Sequence, residues 1–192
     1  MFIQKKMIMK KLSLDELDRK DVDAFRRMPK LAVRLVLDNI RSGLNVGSAF
    51  RTADAFALHG ITICGISAKP PHREILKTAI GATDSVEWTY SESALEAVRA
   101  LKKAGWKICL VEQTDQSISL EKFRMRPGES YALVFGNEVR GISEELLAEA
   151  DIALEIPQFG TKHSLNVSVC VGVLSWEFFR QQQAESGIRE AI

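Results

Sequence analysis

The residues able to do chemistry fall into three short polar clusters. DNIRSGLNVGSAFRTADAF (Asp38 to Phe56) puts Asn45 and Arg51 six residues apart in a loop that runs into a helix. FGNEVRGIS (Phe135 to Ser143) has Gly136 at a strand end and Glu138 just beyond it. In IPQFGTKHSLNVSV (Ile156 to Val169) a proline and a glycine shape a loop, and Ser164 and Asn166 open a helix. Each cluster follows an apolar run with strand character, and open α/β sheets bind their ligands beyond the carboxyl ends of their strands. An arginine, a carboxylate, two amides and a hydroxyl gathered there would bind and orient a polar ligand. No phosphate-cradling loop of the G-x-G-x-x-G or G-x-x-x-x-G-K-[ST] kind occurs, which argues against an ordinary nucleotide-binding α/β enzyme. His59, His72 and His163 lack metal-ligand spacing with one another or with the cysteines, so no metal is expected.

Singly, these residues also have structural uses. Asn45 and Ser164 suit helix N-caps, Arg51 suits a solvent-facing or ion-paired position, and Glu138 suits an ordinary loop. Gly136 and Gly141 suit turns that need positive φ. Asn166 is different, because an amide near the start of an apolar helix needs a partner.

The elements that must position these residues can be read from periodicity. The segments 31–38, 61–66, 86–90, 106–113, 131–136 and 152–157 read as strands. Helices are expected over 46–58, 91–105, 143–150 and 164–183, the last apolar nearly all round and so buried against the sheet or another subunit. Six strands interleaved with helices predict an α/β fold with a mostly parallel sheet. A helix is expected from Ser13 to Met28, capped by Ser13 and carrying Leu14, Leu17, Val22 and Phe25. The organisation is then an N-terminal helical extension (1–30), one domain (31–183) and a short tail (184–192).

With 46% hydrophobic and 27% charged residues among 192, the chain suits one globular domain with a proper core. The widely spaced cysteines, Cys64, Cys109 and Cys170, suit buried thiols in a reducing compartment, and a cytoplasmic location is expected. Nothing has the roughly 18 consecutive apolar residues of a membrane span. The net charge of +1 leaves no general electrostatic footprint, so an RNA partner would have to be met by a local basic patch.

Together the clusters resemble the SpoU, or TrmH-like, family of SPOUT-class RNA ribose methyltransferases. The resemblance runs from about Leu35 to Phe178. NVGSAFRTADAF resembles the family's first motif, LVFGNEVRGIS its second and IPQFGTKHSLNVSV its third. The resemblance implies helices on both sheet faces, a deep C-terminal trefoil knot and a homodimer built through the knot region. It implies S-adenosylmethionine as cofactor, with S-adenosylhomocysteine as product, held near Gly136, Ile156, Pro157 and Leu165, with Glu112, Gln113 and Thr114 close by. It implies transfer of the methyl group to a ribose 2'-hydroxyl of tRNA or rRNA. Arg51 matches the catalytic arginine, with Asn45, Glu138, Ser164 and Asn166 arranged around it.

An arginine is locked in its charged form, so stabilisation and positioning are the roles expected of Arg51. Arg41, Arg73, Lys77, Arg140 and Lys162 are the candidate RNA contacts, with Lys69 and His72 nearby. The segment 69–88 is expected to be a rigid loop over a phosphate track. With only about 30 residues before the first strand, no added N-terminal RNA-binding domain is expected, which favours the compact, tRNA-acting kind. The competing reading is a knotted RNA-binding protein without catalysis, which would need none of the five site residues together.

Overall fold

The computed structural model describes residues 9–13, 15–17 and 19–185. A 3-10 turn (Asp15–Leu17) and α1 (Val22–Arg27) come first. Then follow β1 (Leu31–Asp38), α2 (Gly43–Ala55), β2 (Leu58–Cys64), α3 (Arg73–Ala79), α4 (Ala82–Ser85) and β3 (Trp88–Ser91). The chain continues through α5 (Ala94–Lys103), β4 (Lys107–Val111), β5 (Ile118–Ser119), β6 (Tyr131–Phe135), α6 (Glu144–Leu147), β7 (Ile152–Glu155) and α7 (Val167–Glu185).

The strands form one sheet in the order β3-β2-β1-β6-β4-β7-β5, every neighbouring pair parallel. It has seven strands rather than the expected six. The addition, β5, is two residues long, too short to carry an alternating pattern that periodicity could detect. β1 reads LAVRLVLD with almost no alternation because parallel strands are covered on both faces. Side chains of alternate residues feed two cores. Val33, Leu35, Leu37, Leu133 and Phe135 face α2, α3, α4 and α7. Val36, Ala132 and Val134 face α5 and α6, which contribute Val98 and Leu146.

Three local expectations are corrected. The N-terminal helix is cut to α1 and capped by Asp21, whose carboxylate accepts the Ala24 N–H at 2.7 Å; Leu14 lies outside the described residues. The segment 69–88 is not a loop but α3, α4 and the start of β3. Ile75 and Ala79 anchor α3 on the core and His72 caps it, while the two prolines end just before it. Helix α2 starts at Gly43, not at 46, because the Ser42 hydroxyl accepts the Asn45 N–H at 3.3 Å and so caps it. That frees the Asn45 side chain.

In α7, Val171, Leu174 and Phe178 are buried, while Val169, Val173 and Trp176 form an exposed apolar stripe. The helix packs on α2 and β1 with one face only. Among the described residues no helix is long and apolar enough to cross a membrane.

Candidate active site

The strand order turns at β1: β2 and β3 continue to one side, and β6, β4, β7 and β5 to the other. Loops leaving β1 and β6 therefore diverge at a topological switch point, where such sheets bind ligands.

Between the loops after β4, β6 and β7 and the start of α7 lies a cavity of about 630 Å3. Its walls combine apolar side chains (Val111, Ile142, Leu154) with the expected cofactor residues Glu112, Gln113, Thr114, Gly136, Ile156 and Leu165. Pro157, also expected there, is exposed in the same loop and does not line it. Two glycines make the wall possible. A Cβ on Gly136 would lie 2.3 Å from the Gly141 carbonyl carbon, because Asn137 and Gly141 pair across a tight turn at that point. Gly141 has φ +67°, and a Cβ there would meet the Glu112 carboxylate at 2.5 Å. That carboxylate accepts the Ile142 N–H at 3.2 Å and the Gln113 N–H at 3.0 Å, tying the β4 loop to the β6 loop.

The three polar clusters meet at the cavity rim. The Glu138 carboxylate accepts the Arg41 N–H at 2.9 Å, the Ser42 N–H at 3.2 Å and the Asn45 amide at 3.1 Å. The Asn45 amide oxygen in turn accepts from the Asn166 amide at 3.3 Å. Partial burial pushes the Glu138 carboxyl up, but the N–H groups of Arg41, Glu138 itself and Ser42 and the Asn45 amide outweigh it and hold it below its ordinary range. Glu138 is thus an ionised clamp on the loop that opens α2.

Asn166, not Ser164, starts α7: its side-chain oxygen accepts the Ser168 N–H at 2.8 Å, and its carbonyl accepts the Cys170 N–H at 3.0 Å. Ser164 lines the cavity. Cys170 lines it too, its thiol pushed up by burial.

Arg51 is not part of this assembly. Six residues along α2 place it about 120° around the helix from Asn45. It is exposed and lines a separate depression with Lys77, Thr78, Ser48 and Phe56. Of the expected RNA contacts, Arg140 lines the cavity, Lys77 shares the Arg51 depression, and Arg41, Arg73 and Lys162 are exposed. None of the five makes an ion pair among the described residues. No group of histidine, cysteine and carboxylate residues suited to a metal occurs among the described residues.

Sequence reasoning passed over Asn137. Its amide oxygen accepts the N–H groups of Val139 and Arg140 at 2.9 and 3.1 Å, and its amide donates to the Asn39 carbonyl at 2.7 Å. It folds the second motif's turn and ties it to the β1 loop. An asparagine two residues after a strand end, in a turn closed by glycine, was the available signal.

The match to known proteins follows the same segments. Residues 32–176 match the SpoU rRNA Methylase family. The chain belongs to that family. The 23S rRNA (guanosine-2'-O-)-methyltransferase RlmB of Neisseria meningitidis is 30% identical over 161 residues, which are 83% of this chain and 63% of that protein. The chain thus spans less than two thirds of that relative's length. The crystal structure of an AdoMet-bound rRNA methyltransferase from Sinorhizobium meliloti has a TM-score of 0.72 at 25% identity, covering 80% of this chain and 61% of the other. A structure concerned with 2-OH methylation of C/U34 on tRNA has a TM-score of 0.70 at 28% identity, covering 79% of this chain and 97% of the other.

Proposed function

We propose that the chain is an S-adenosylmethionine-dependent methyltransferase that modifies a ribose 2'-hydroxyl in tRNA or rRNA. The carrying observation is the hydrogen-bonded series Glu138, Asn45, Asn166, which draws three separated motifs to the rim of one cavity. Family membership supports the reading, as do the named activities of the Neisseria relative and of the tRNA-related neighbour. The tRNA-related neighbour supports tRNA and the Neisseria relative supports rRNA as the substrate class.

The cavity fits the cofactor. Its volume lies within the range of about 300–1,000 Å3 usual for small-molecule sites. Apolar walls from Ile142, Leu154, Ile156 and Leu165 suit an adenine, Glu112 and Glu155 suit a cation with ribose hydroxyls, and Arg140 suits a carboxylate. When bound, S-adenosylmethionine supplies an electrophilic methyl on a positively charged sulfur.

The acceptor hydroxyl is a poor nucleophile at neutral pH, so it must be held in line and lose its proton as the O–C bond forms and the S–C bond breaks. Glu138 holds the α2 loop, Asn45 and Asn166 offer oriented amides, and Ser164 offers a hydroxyl beside them. Arg51, permanently charged, holds the RNA phosphate and stabilises developing negative charge at the oxygen.

The enzyme works as a homodimer in which one chain provides the cavity and the other Arg51. Support comes from the exposed α7 stripe of Val169, Val173 and Trp176. The Trp176 ring lies tilted against Phe56, with centroids 6.0 Å apart, and Phe56 lines the Arg51 depression, so burying the stripe brings that depression to the interface. The strand order β6-β4-β7, with β4 between two later strands, supports a trefoil knot over the C-terminal half. Residues 31–183 form the methyltransferase domain, with 1–30 as an extension and 184–192 as a tail. An RNA substrate and three free cysteines support a cytoplasmic location.

Transfer of labelled methyl groups to total tRNA and to rRNA from cells lacking the protein tests the proposal, with mapping of 2'-O-methyl positions. Absence of cofactor binding at millimolar concentration overturns it.

A further inference from the structure

Phe159 lies in the 156–166 loop and is 98% exposed, while its neighbour Gln158 lines the cavity. No ring contact or core cluster among the described residues includes it. Leaving a whole benzyl group in water forgoes a large burial term. Its surroundings are basic and polar. Lys162 and His163 stand on the same loop, exposed, and Arg140 stands exposed on the β6 loop at the cavity wall, beside the exposed Val139. An exposed aromatic ring on a loop that also carries Lys162, at a cavity whose wall includes Arg140, suits a nucleotide, which has an apolar base face and an anionic backbone. It suits a protein partner less well, since the exposed apolar stripe of this chain runs along α7 instead.

We propose that Phe159 is the stacking platform for an unpaired base of the RNA substrate at or beside the methylated nucleotide, with Lys162 and Arg140 on the flanking phosphates. The inference rests on the RNA methyl-transfer reading and narrows it: the target nucleotide must be single-stranded or turned out of its helix when it enters. Specificity at this point is for an unstacked base rather than for a base-edge pattern, because every base has a face to stack.

The test compares Phe159→Ala and Phe159→Trp with the unaltered protein. Total tRNA and rRNA from cells lacking the protein serve as RNA, with filter binding for affinity and labelled methyl transfer for KM and kcat. Calorimetry with S-adenosylhomocysteine and sedimentation complete the set. The expected result is an RNA affinity about tenfold weaker and a KM raised in step for Phe159→Ala. Phe159→Trp should keep both values, with cofactor affinity, melting temperature and oligomeric state unchanged throughout. RNA affinity unchanged in Phe159→Ala overturns the inference. So does a loss of cofactor affinity, which would make the ring a cofactor wall, or a shift in oligomeric state, which would make it a subunit contact. Protein that binds RNA in this manner but transfers no methyl group refutes the proposed function and leaves the stacking inference judged on binding; protein that binds no RNA overturns both.

Discussion

Replacing Glu138 by glutamine isolates the clamp that joins the motifs. The native carboxylate accepts three hydrogen bonds, from Arg41 N–H, Ser42 N–H and the Asn45 amide. Glutamine keeps one accepting oxygen and turns an amide donor toward the other side, so either the Arg41 bond or the Ser42 and Asn45 pair is lost, and the loss of the negative charge weakens what remains. Bonds of this kind contribute about 0.5–1.5 kcal/mol each, and the exposure of Glu138 puts them at the lower end, for roughly 1–2 kcal/mol in all. If that free energy holds the α2 loop and Asn45 in their reactive arrangement, kcat falls about 5- to 30-fold. Steady-state methyl transfer measures this. Cofactor affinity should change much less, because the Glu112 side of the cavity wall is untouched. The double variant Glu138→Gln, Asn45→Ala should lose less than the sum of the single losses, since both act through one series of bonds.

The carboxyl of Glu138 is held below its ordinary range, so its contribution is fully present above the unfolded value and is lost as pH falls through the native one. No inflection from it belongs in a neutral pH-rate profile. An unchanged kcat in Glu138→Gln, or a cofactor affinity that falls as far as kcat, refutes the reasoning.

Arg51→Ala should abolish transfer with cofactor affinity intact, because Arg51 lines a depression apart from the cavity, and Arg51→Lys should not restore it; loss of cofactor binding on calorimetry contradicts this. Trp176→Glu should shift sedimentation toward the monomer and lower transfer with it, since Trp176 is 53% exposed on the proposed interface stripe; an active monomer counts against the shared site. Burial pushes the carboxyl of Asp38 up, with the Asn39 amide opposing and Glu145 adding. Its stabilisation is present below the unfolded value and lost as pH rises through the raised native one. Asp38→Asn should therefore raise the melting temperature at pH 7 by about 2–4 °C and leave it unchanged near pH 3, by calorimetry.

How far the sequence reaches differs from element to element. β1 was legible to the residue because its apolar run admits one reading, a strand covered on both faces. Of the five expected helices, the four within 31–183 were found with ends moved by up to three residues, because caps rather than periodicity set those ends. Ser42 caps α2 although the glycine after it is a poor helix former, and only its hydrogen bond reveals this. Helix α3 was missed because Leu76 and Ile80 are exposed and only Ile75 and Ala79 are buried, so its apolar pattern points partly to solvent.

The sequence by itself determined the α/β class and the three polar clusters, because each depends on residues adjacent in the chain. Tertiary structure alone decided which clusters touch. Glu138 reaches Asn45 across 93 residues and Asn45 reaches Asn166 across 121, contacts that no local pattern encodes. It also decided that Arg51 stands apart: helix geometry turns it from Asn45, and the packing of α3 on α2 gives it Lys77 and Thr78 as neighbours.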